Sequence, residues 1–323
     1  MTTLTVTDLS KNFTLRQGLR TRKLAAVSEV SFELVPGRTV ALVGQSGSGK
    51  STVARMIAQL ETPTSGSIRL DGVPAQSHGA GLRAYRDEVQ MVFQDPFASL
   101  NPFHTVAHHV ERPIRLHGVA EGSKAVRAKV LELLERVQLS PAADFAERKP
   151  HELSGGQRQR VAIARALAPA PSILIADEPV SMLDVSIRLG ILNLLADIQR
   201  EDKLAVLYIT HDLATARHFS DDILVMLEGK VVERGRADDV ILNPQADFTK
   251  KLRDAAPEPS RRKRFLDAAP RYDALRASRT RGNEPDHAAE PSAQGDTDSP
   301  DRPAGSHLTD EPHQQSTNER HHT

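Results

Sequence analysis

Cysteine is absent from the 323 residues, which excludes disulfides, thiolate zinc sites and iron–sulfur clusters and fits a reducing compartment. Charge of one sign is also missing: 42 basic residues balance 42 acidic ones, so nothing global argues for a nucleic-acid binder. No apolar run approaches the ~18 residues that a membrane span needs. The opening Met1-Thr2-Thr3-Leu4-Thr5-Val6 shows no basic segment followed by an apolar stretch, so no secretory signal is read there. A chain of this kind that works at a membrane is expected to be held there by another chain. What is present is a 39% hydrophobic content, ample for a sizeable core, at a length that suggests about two domains.

Alternation of Val30, Phe32 and Leu34 reads as a half-buried strand closed by the Pro36-Gly37 turn. Thr39–Val43 then reads as a short buried strand, followed by a glycine-rich loop and a helix over Lys50–Leu60. Further apolar runs of strand length at Val89–Phe93, Ile173–Ala176, Leu204–Ile209 and Ile223–Leu227 alternate with helix-like segments, which predicts an α/β fold with a largely parallel sheet. Between 96 and 157 the character turns helical, with Val126, Val130, Leu133, Leu134 and Val137 on one face, and an inserted helical subdomain is expected. After Pro257 apolar content collapses, and residues 258–323 are expected to be disordered. The basic run Arg261-Arg262-Lys263-Arg264 reads as a solvated linker, and the scattered histidines ending in His321 and His322 lack the spacing of a metal site.

Gly44-Gln45-Ser46-Gly47-Ser48-Gly49-Lys50-Ser51 fits G-x-x-x-x-G-K-[ST] between a predicted strand and a predicted helix, the context that the mechanism requires. Its glycines let backbone N–H groups curl around nucleotide phosphates, Lys50 should reach the β- and γ-phosphates, and Ser51 should give its hydroxyl to Mg²⁺. The nucleotide-binding stretch is expected to run on to Thr52. Ile173–Ala176 leads into Asp177-Glu178 at the carboxyl edge of a parallel sheet, where Asp177 would hold the Mg²⁺ shell and Glu178 would act as general base on a water in line with the γ-phosphate. Gln94 ends another strand, within reach of Mg²⁺ or that water. His211 follows a third, where it can meet the γ-phosphate and orient the water. Taken alone, a Gln after a strand says little, and a His-Asp pair is more often a structural hydrogen bond.

Leu153-Ser154-Gly155-Gly156-Gln157 opens a helix carrying Arg158, Arg160 and Arg165, with Ser154 near its N-cap. Read blandly this is a capped amphipathic helix. Read as chemistry it is a second anion site with no lysine of its own, and nothing places it beside Lys50 within one chain, so a second subunit is expected to complete it.

In order and approximate spacing, the phosphate loop, Gln94, Leu153–Gln157, Asp177-Glu178, Ser181-Met182-Leu183-Asp184 and His211 resemble the nucleotide-binding subunit of an ATP-binding cassette transporter, over about Leu4 to Pro257. That resemblance implies a P-loop NTPase (RecA-like) core with an antiparallel β subdomain and the helical insertion, within an ATPase domain of residues 1–240. It implies that Phe13 stacks on adenine, although read by itself Phe13 is equally an apolar strand-end residue. It implies that Asp184 lies in a loop crossing the dimer interface, and that ATP is clamped between Lys50 of one subunit and Ser154, Gly155, Gly156 and Gln157 of the other.

More narrowly, Gln94–Pro102, His151-Glu152-Leu153, Glu178-Pro179-Val180-Ser181 and the C-terminal stretch from Asn243-Pro244 to Pro257 are similar to the dipeptide/oligopeptide/nickel importer branch. Met182, Arg188-Leu189-Gly190 and Gln245-Ala246-Asp247 depart from its pattern. The branch implies a C-terminal extension at 241–257, ATP hydrolysis driving uptake of peptides or a related small solute, nickel included, two integral-membrane permease subunits, an extracytoplasmic solute-binding protein, and a peripheral place on the cytoplasmic face of the inner membrane. Arg16–Lys23 and Val180-Ser181 look most like the second ATPase of paired systems, implying a heterodimer with another ATPase subunit. The rival expectation is a soluble cassette ATPase acting on a cytoplasmic assembly, for example in phosphonate breakdown.

Overall fold

A computed structural model describes residues 2–17 and 20–255. The expected disordered tail, with Arg261–Arg264, His321 and His322, lies outside the described residues, as do Gly18 and Leu19 of the basic insertion. Two long strands, β1 (Leu4–Gln17) and β2 (Arg20–Leu34), form an antiparallel hairpin. β3 (Thr39–Val43) leads through the phosphate loop into α1 (Lys50–Ile57), and β4 (Ser65–Leu70) and β5 (Val73–Pro74) return to the hairpin in the order β2-β1-β4-β5. α1 stops short of Leu60: Gln59 takes a left-handed φ of 52° and Leu60 N–H reaches back to Arg55 O at 2.8 Å, a Schellman ending.

Then come α2 (Gly79–Glu88), β6 (Val89–Val92) and a run of helices: α3 (Pro96–Ser99), α4 (Val106–Leu116), α5 (Ser123–Arg136), α6 (Ala142–Glu147) and α7 (Gly155–Leu167). Val126, Val130, Leu133, Leu134 and Val137 are all buried there. The chain closes with β7 (Ile173–Asp177), α8 (Val185–Glu201), β8 (Ala205–Thr210), α9 (Leu213–Phe219), β9 (Asp222–Leu227), β10 (Lys230–Arg236), α10 (Ala237–Leu242) and α11 (Asp247–Asp254). α10 runs across the expected boundary between 240 and 241. Glu233 on β10 fastens the start of α11 by accepting from the N–H groups of Gln245 (2.7 Å) and Ala246 (3.0 Å).

The main sheet has the order β10-β9-β3-β8-β7-β6, parallel except for β10. Alternate residues of its central strands enter different cores. Val40, Leu42, Ile173, Ile175, Leu207 and Ile209 pack with α1 and the four-stranded sheet, whereas Ala41, Val43, Leu174, Ala176, Val206 and Tyr208 pack with the helical layer. Burial on both faces is why these strands read as continuous apolar runs. Register then fixes the site: Val43 pairs with Thr210, Asp177 with Ile209 and Val92 with Ala176. The residues after β3, β6, β7 and β8 therefore emerge along one carboxyl edge, where α/β sheets bind ligands. Among the described residues no helix is long and apolar enough to cross a membrane.

Candidate functional site

The phosphate loop is held tight by its surroundings. Gly49 has φ 101°, and a Cβ there would stand 2.3 Å from Ala26 O, so only glycine lets the loop lie against β2. No side chain caps α1 at this end, which leaves the N–H groups of its first turn for an anion. Lys50 is buried and its Nζ donates to Gly44 O (2.8 Å) and Gln45 O (2.9 Å). Burial pushes its pKa down, opposed by the charges of Glu178 and Asp177. Ser48 Oγ is buried without a hydrogen-bond partner among the described residues, a hydroxyl suited to a phosphate oxygen. Gln45, Ser46 and Gly47 are exposed at the tip of the loop, and Thr52 is half-buried in the first turn of α1.

Ser51 Oγ donates to Asp177 Oδ1 at 3.1 Å, bringing together two oxygen ligands from positions 126 residues apart. Asp177 is buried, and that burial raises its pKa. The Ser51 hydrogen bond lowers it, the Glu178 charge adds to the rise, and Arg55 and Lys50 oppose it. A buried carboxylate beside a hydroxyl is a hard-oxygen pair that fits Mg²⁺.

Glu178 has a left-handed φ of 45°, a conformation that costs a non-glycine residue free energy and is found at functional sites. Its N–H donates to Ile209 O (2.9 Å), and its carbonyl accepts from Ser181 N–H (3.2 Å) and Ser181 Oγ (3.1 Å). Thus oriented, its carboxylate accepts from Gln94 Nε2 at 3.1 Å and stands 3.2 Å from His211 Nδ1. With the proton on Nδ1 the imidazole donates to Glu178, and its Nε2 is left as an acceptor.

Ser154 caps α7 in a reciprocal box: its Oγ accepts from Gln157 N–H (3.2 Å) and Gln157 Oε1 accepts from Ser154 N–H (2.9 Å). Gly155 lies against Leu183, and a Cβ on Gly156 would stand 2.7 Å from Ile187 Cγ2, so α7 begins in close contact with α8. Ser154 and Asp184 are exposed, as are Met182 and Ile187. Among the described residues no hydrogen bond or ion pair joins this turn to the phosphate loop. Phe13 also stands apart from the loop: it pairs with Leu24 on β2 and has Lys11 Nζ 5.1 Å from its ring centroid.

Sequence reading gave no role at the site to three contributors, although Ser181 and Arg188 stood in the stretches it compared. Arg55, one helical turn beyond Ser51, bears electrostatically on Asp177. Ser181 holds the strained Glu178 carbonyl. Arg188 joins Leu183 O (3.2 Å) to Asp212 Oδ2 (3.8 Å), beside His211. Arg55 was findable from its i+4 spacing; the other two depend on loop geometry.

Residues 27–181 match the family model described as ABC transporter. The ATP-binding cassette MJ0796, solved as a dimer in a post-hydrolysis state with ADP and Pi, is 33% identical, with a TM-score of 0.64 over 72% of this chain and 98% of that one. The chain belongs to the ABC transporter family. A second cassette, cbiO1 from Clostridium perfringens, described as part of the ABC transporter complex cbiONQ, gives a TM-score of 0.65 at 28% identity over 79% of this chain and 95% of its own. The glutathione import ATP-binding protein GsiA of Salmonella paratyphi A is 48% identical over 264 residues, which are 80% of this chain and 42% of GsiA. The chain thus spans less than half the length of that relative.

Proposed function

We propose that this ABC cassette hydrolyses ATP to drive uptake of peptides or a related small solute, working as a nucleotide-sandwich dimer. The observation that carries the reading is the convergence of Ser51–Asp177 with a Glu178 carboxylate gripped by Gln94 and His211. Lys50, Ser48 and the loop N–H groups bind the ATP phosphates, and Phe13 lies under the adenine. Ser51, Asp177 and Gln94 would hold Mg²⁺, which when bound neutralises phosphate charge. Glu178 takes a proton from the attacking water as its oxygen bonds to the γ-phosphorus and the bond to the β-phosphate oxygen breaks. Gln94 and His211 fix that carboxylate in line. Ser154–Gln157 and Asp184 of a second subunit close over the γ-phosphate.

The peptide assignment is supported by the likeness to a glutathione importer's ATPase, glutathione being a tripeptide. It brings with it a second ATPase subunit in a heterodimer, two permease subunits, an extracytoplasmic solute-binding protein and a peripheral position on the cytoplasmic face of the inner membrane. Glu178→Gln tests the chemistry: steady-state hydrolysis should fall at least ~100-fold while an ATP-bound dimer accumulates on size exclusion. Unchanged hydrolysis would sink the assignment. Uptake of radiolabelled di- and tripeptides into vesicles holding the purified transporter tests the cargo. Two copies of this chain and no second ATPase in that complex would remove the heterodimer.

A further inference from the structure

α7 carries the Ser154–Gln157 turn at one end and, on a face turned toward α3, two arginines seven residues and two turns apart. The Arg158 guanidinium lies 4.1 Å from the centroid of the Phe97 ring, while its Nε donates to Pro150 O at 2.7 Å. Arg165 Nη1 donates to Ser99 O. Phe97 and Ser99 both belong to α3, whose start is pinned by Asp95: Oδ1 accepts from Phe97 N–H (2.7 Å) and Ala98 N–H (3.1 Å). Asp95 directly follows Gln94, which donates to Glu178. A chain of contacts therefore runs from the general base through Gln94, the capped α3 and two arginines to the helix that begins at Ser154.

Arg165 is the less expected member. It lines one cavity of about 1050 Å³ with Ser51, Gln94 and Asp177. Its side chain is half-buried, that burial pushes its pKa down, and among the described residues it forms no ion pair. Lysine could not reproduce the planar fork with which this half-buried cation reaches a backbone carbonyl from a packed helix.

We infer that Arg158 and Arg165 are positioning residues that couple Gln94, acting in one nucleotide site, to the orientation of Ser154–Gln157, acting in the other. This rests on the sandwich-dimer reading, in which Glu178 and Ser154 of one chain serve different nucleotides. A shift of Gln94 when water and γ-phosphate engage Glu178 is carried as a rigid displacement of α3 and α7, so the two sites fire in concert.

The test uses the full chain with its ATPase partner and compares Arg165→Met, Arg165→Lys, Arg158→Met, Phe97→Leu and the Arg158→Met/Phe97→Leu pair. None of these residues touches the phosphate loop, so ADP affinity should stay within about twofold of wild type. Arg165→Met should lower kcat ~10-fold or more and bring the Hill coefficient for ATP toward about 1, with partial recovery in Arg165→Lys. Arg158→Met and Phe97→Leu should each lower kcat a few-fold, and the pair should be no worse than the worse single change. Should Arg165→Met fail to fold, that cycle decides alone. A cooperative wild type with equally cooperative, equally fast variants overturns the coupling. So does a loss of ADP affinity in step with kcat, or additive losses in the cycle. Absence of an ATP-dependent dimer in Glu178→Gln on size exclusion overturns the sandwich-dimer reading, whereas a wild type that dimerises yet hydrolyses ATP with a Hill coefficient of about 1 overturns the coupling alone.

Discussion

Adding one methyl group at Gly156 separates the stability of this chain from its chemistry. A Cβ there stands 2.7 Å from Ile187 Cγ2, roughly 1 Å inside an ordinary carbon contact of ~3.7 Å. Ile187 sits in the first turn of α8, where a β-branched side chain has one strongly preferred χ1, so it cannot simply swing away. Overpacking of this kind costs about 1–3 kcal/mol, and replacing glycine by alanine in a helix returns up to ~1 kcal/mol. Gly156→Ala should therefore lower stability by roughly 0–3 kcal/mol, at most about 12 °C in Tm for a domain of this size. The same ~1 Å displacement falls on the turn that, in the proposed dimer, would meet the partner's γ-phosphate, where a misplacement of that size costs ~100-fold in rate. Thermal unfolding and steady-state hydrolysis, run on the same preparations, give both numbers. Ile187→Ala, which removes Cγ2, should restore most of the rate in the Gly156→Ala background, whereas Ile187→Val, which keeps it, should not. Unaltered kcat in Gly156→Ala, or no recovery with Ile187→Ala, would refute the reasoning.

Asp177→Asn should abolish hydrolysis yet stabilise the fold without divalent cation, because it removes a buried charge. The folded-state pKa of Asp177 is raised above the ordinary 3.8, so the native chain binds more protons in that window, and its contribution to stability falls as pH rises from 3.8 through the raised value. Denaturant titrations between about pH 4 and 7 should show that slope in the parent and lose it in Asp177→Asn. Leu134→Ala empties a fully buried position in α5 and should cost ~3 kcal/mol, read as a Tm lower by about 6–12 °C with ADP affinity unchanged. Ser154→Ala breaks the capping box and should cost ~1 kcal/mol of stability, with a larger loss of ATP-dependent dimer on size exclusion.

Legibility followed burial and contiguity. β3, β7, β8 and β9 could be read because both of their faces are covered, so the strands are unbroken apolar runs. β10, written Lys-Val-Val-Glu-Arg-Gly-Arg, lies at the sheet edge with alternate residues exposed and carries too few apolar positions to stand out. β1 shows the same weakness over Lys11–Thr14, where the hairpin runs out beyond its core. The phosphate loop and the Ser154 capping box are local, so pattern and geometry coincide there. The contacts that orient Glu178 are not local: Gln94 lies 84 positions upstream and His211 33 positions downstream, and only the register of β6, β7 and β8 brings them to one point. Nothing in the sequence announces the left-handed backbone at Glu178, which a glutamate tolerates here because Ile209 O and Ser181 hold its peptide groups.

The Lys50–Asp177 half and the Ser154–Gln157 turn of this chain are built on opposite electrostatic principles. Burial penalises the charged forms of both Lys50 and Asp177, moving one pKa down and the other up. An anion at Lys50 and a cation at Asp177 relieve both penalties at once, so nucleotide phosphates and a divalent ion are favoured together over either alone. At the start of α7, Ser154 and Gln157 satisfy each other's backbone N–H groups at the surface, and no charge is buried. That turn gains nothing from a phosphate until one is presented to the outward N–H groups and hydroxyl of α7. On the proposed reading, the affinity of a chain for nucleotide would therefore reside in its own Lys50 half, while the energy of closure would depend on a γ-phosphate carried by the partner. In the proposed sandwich dimer, dimerisation would thereby be tied to ATP rather than ADP, because ADP engages the Lys50 half but lacks the group that the opposing α7 would bind.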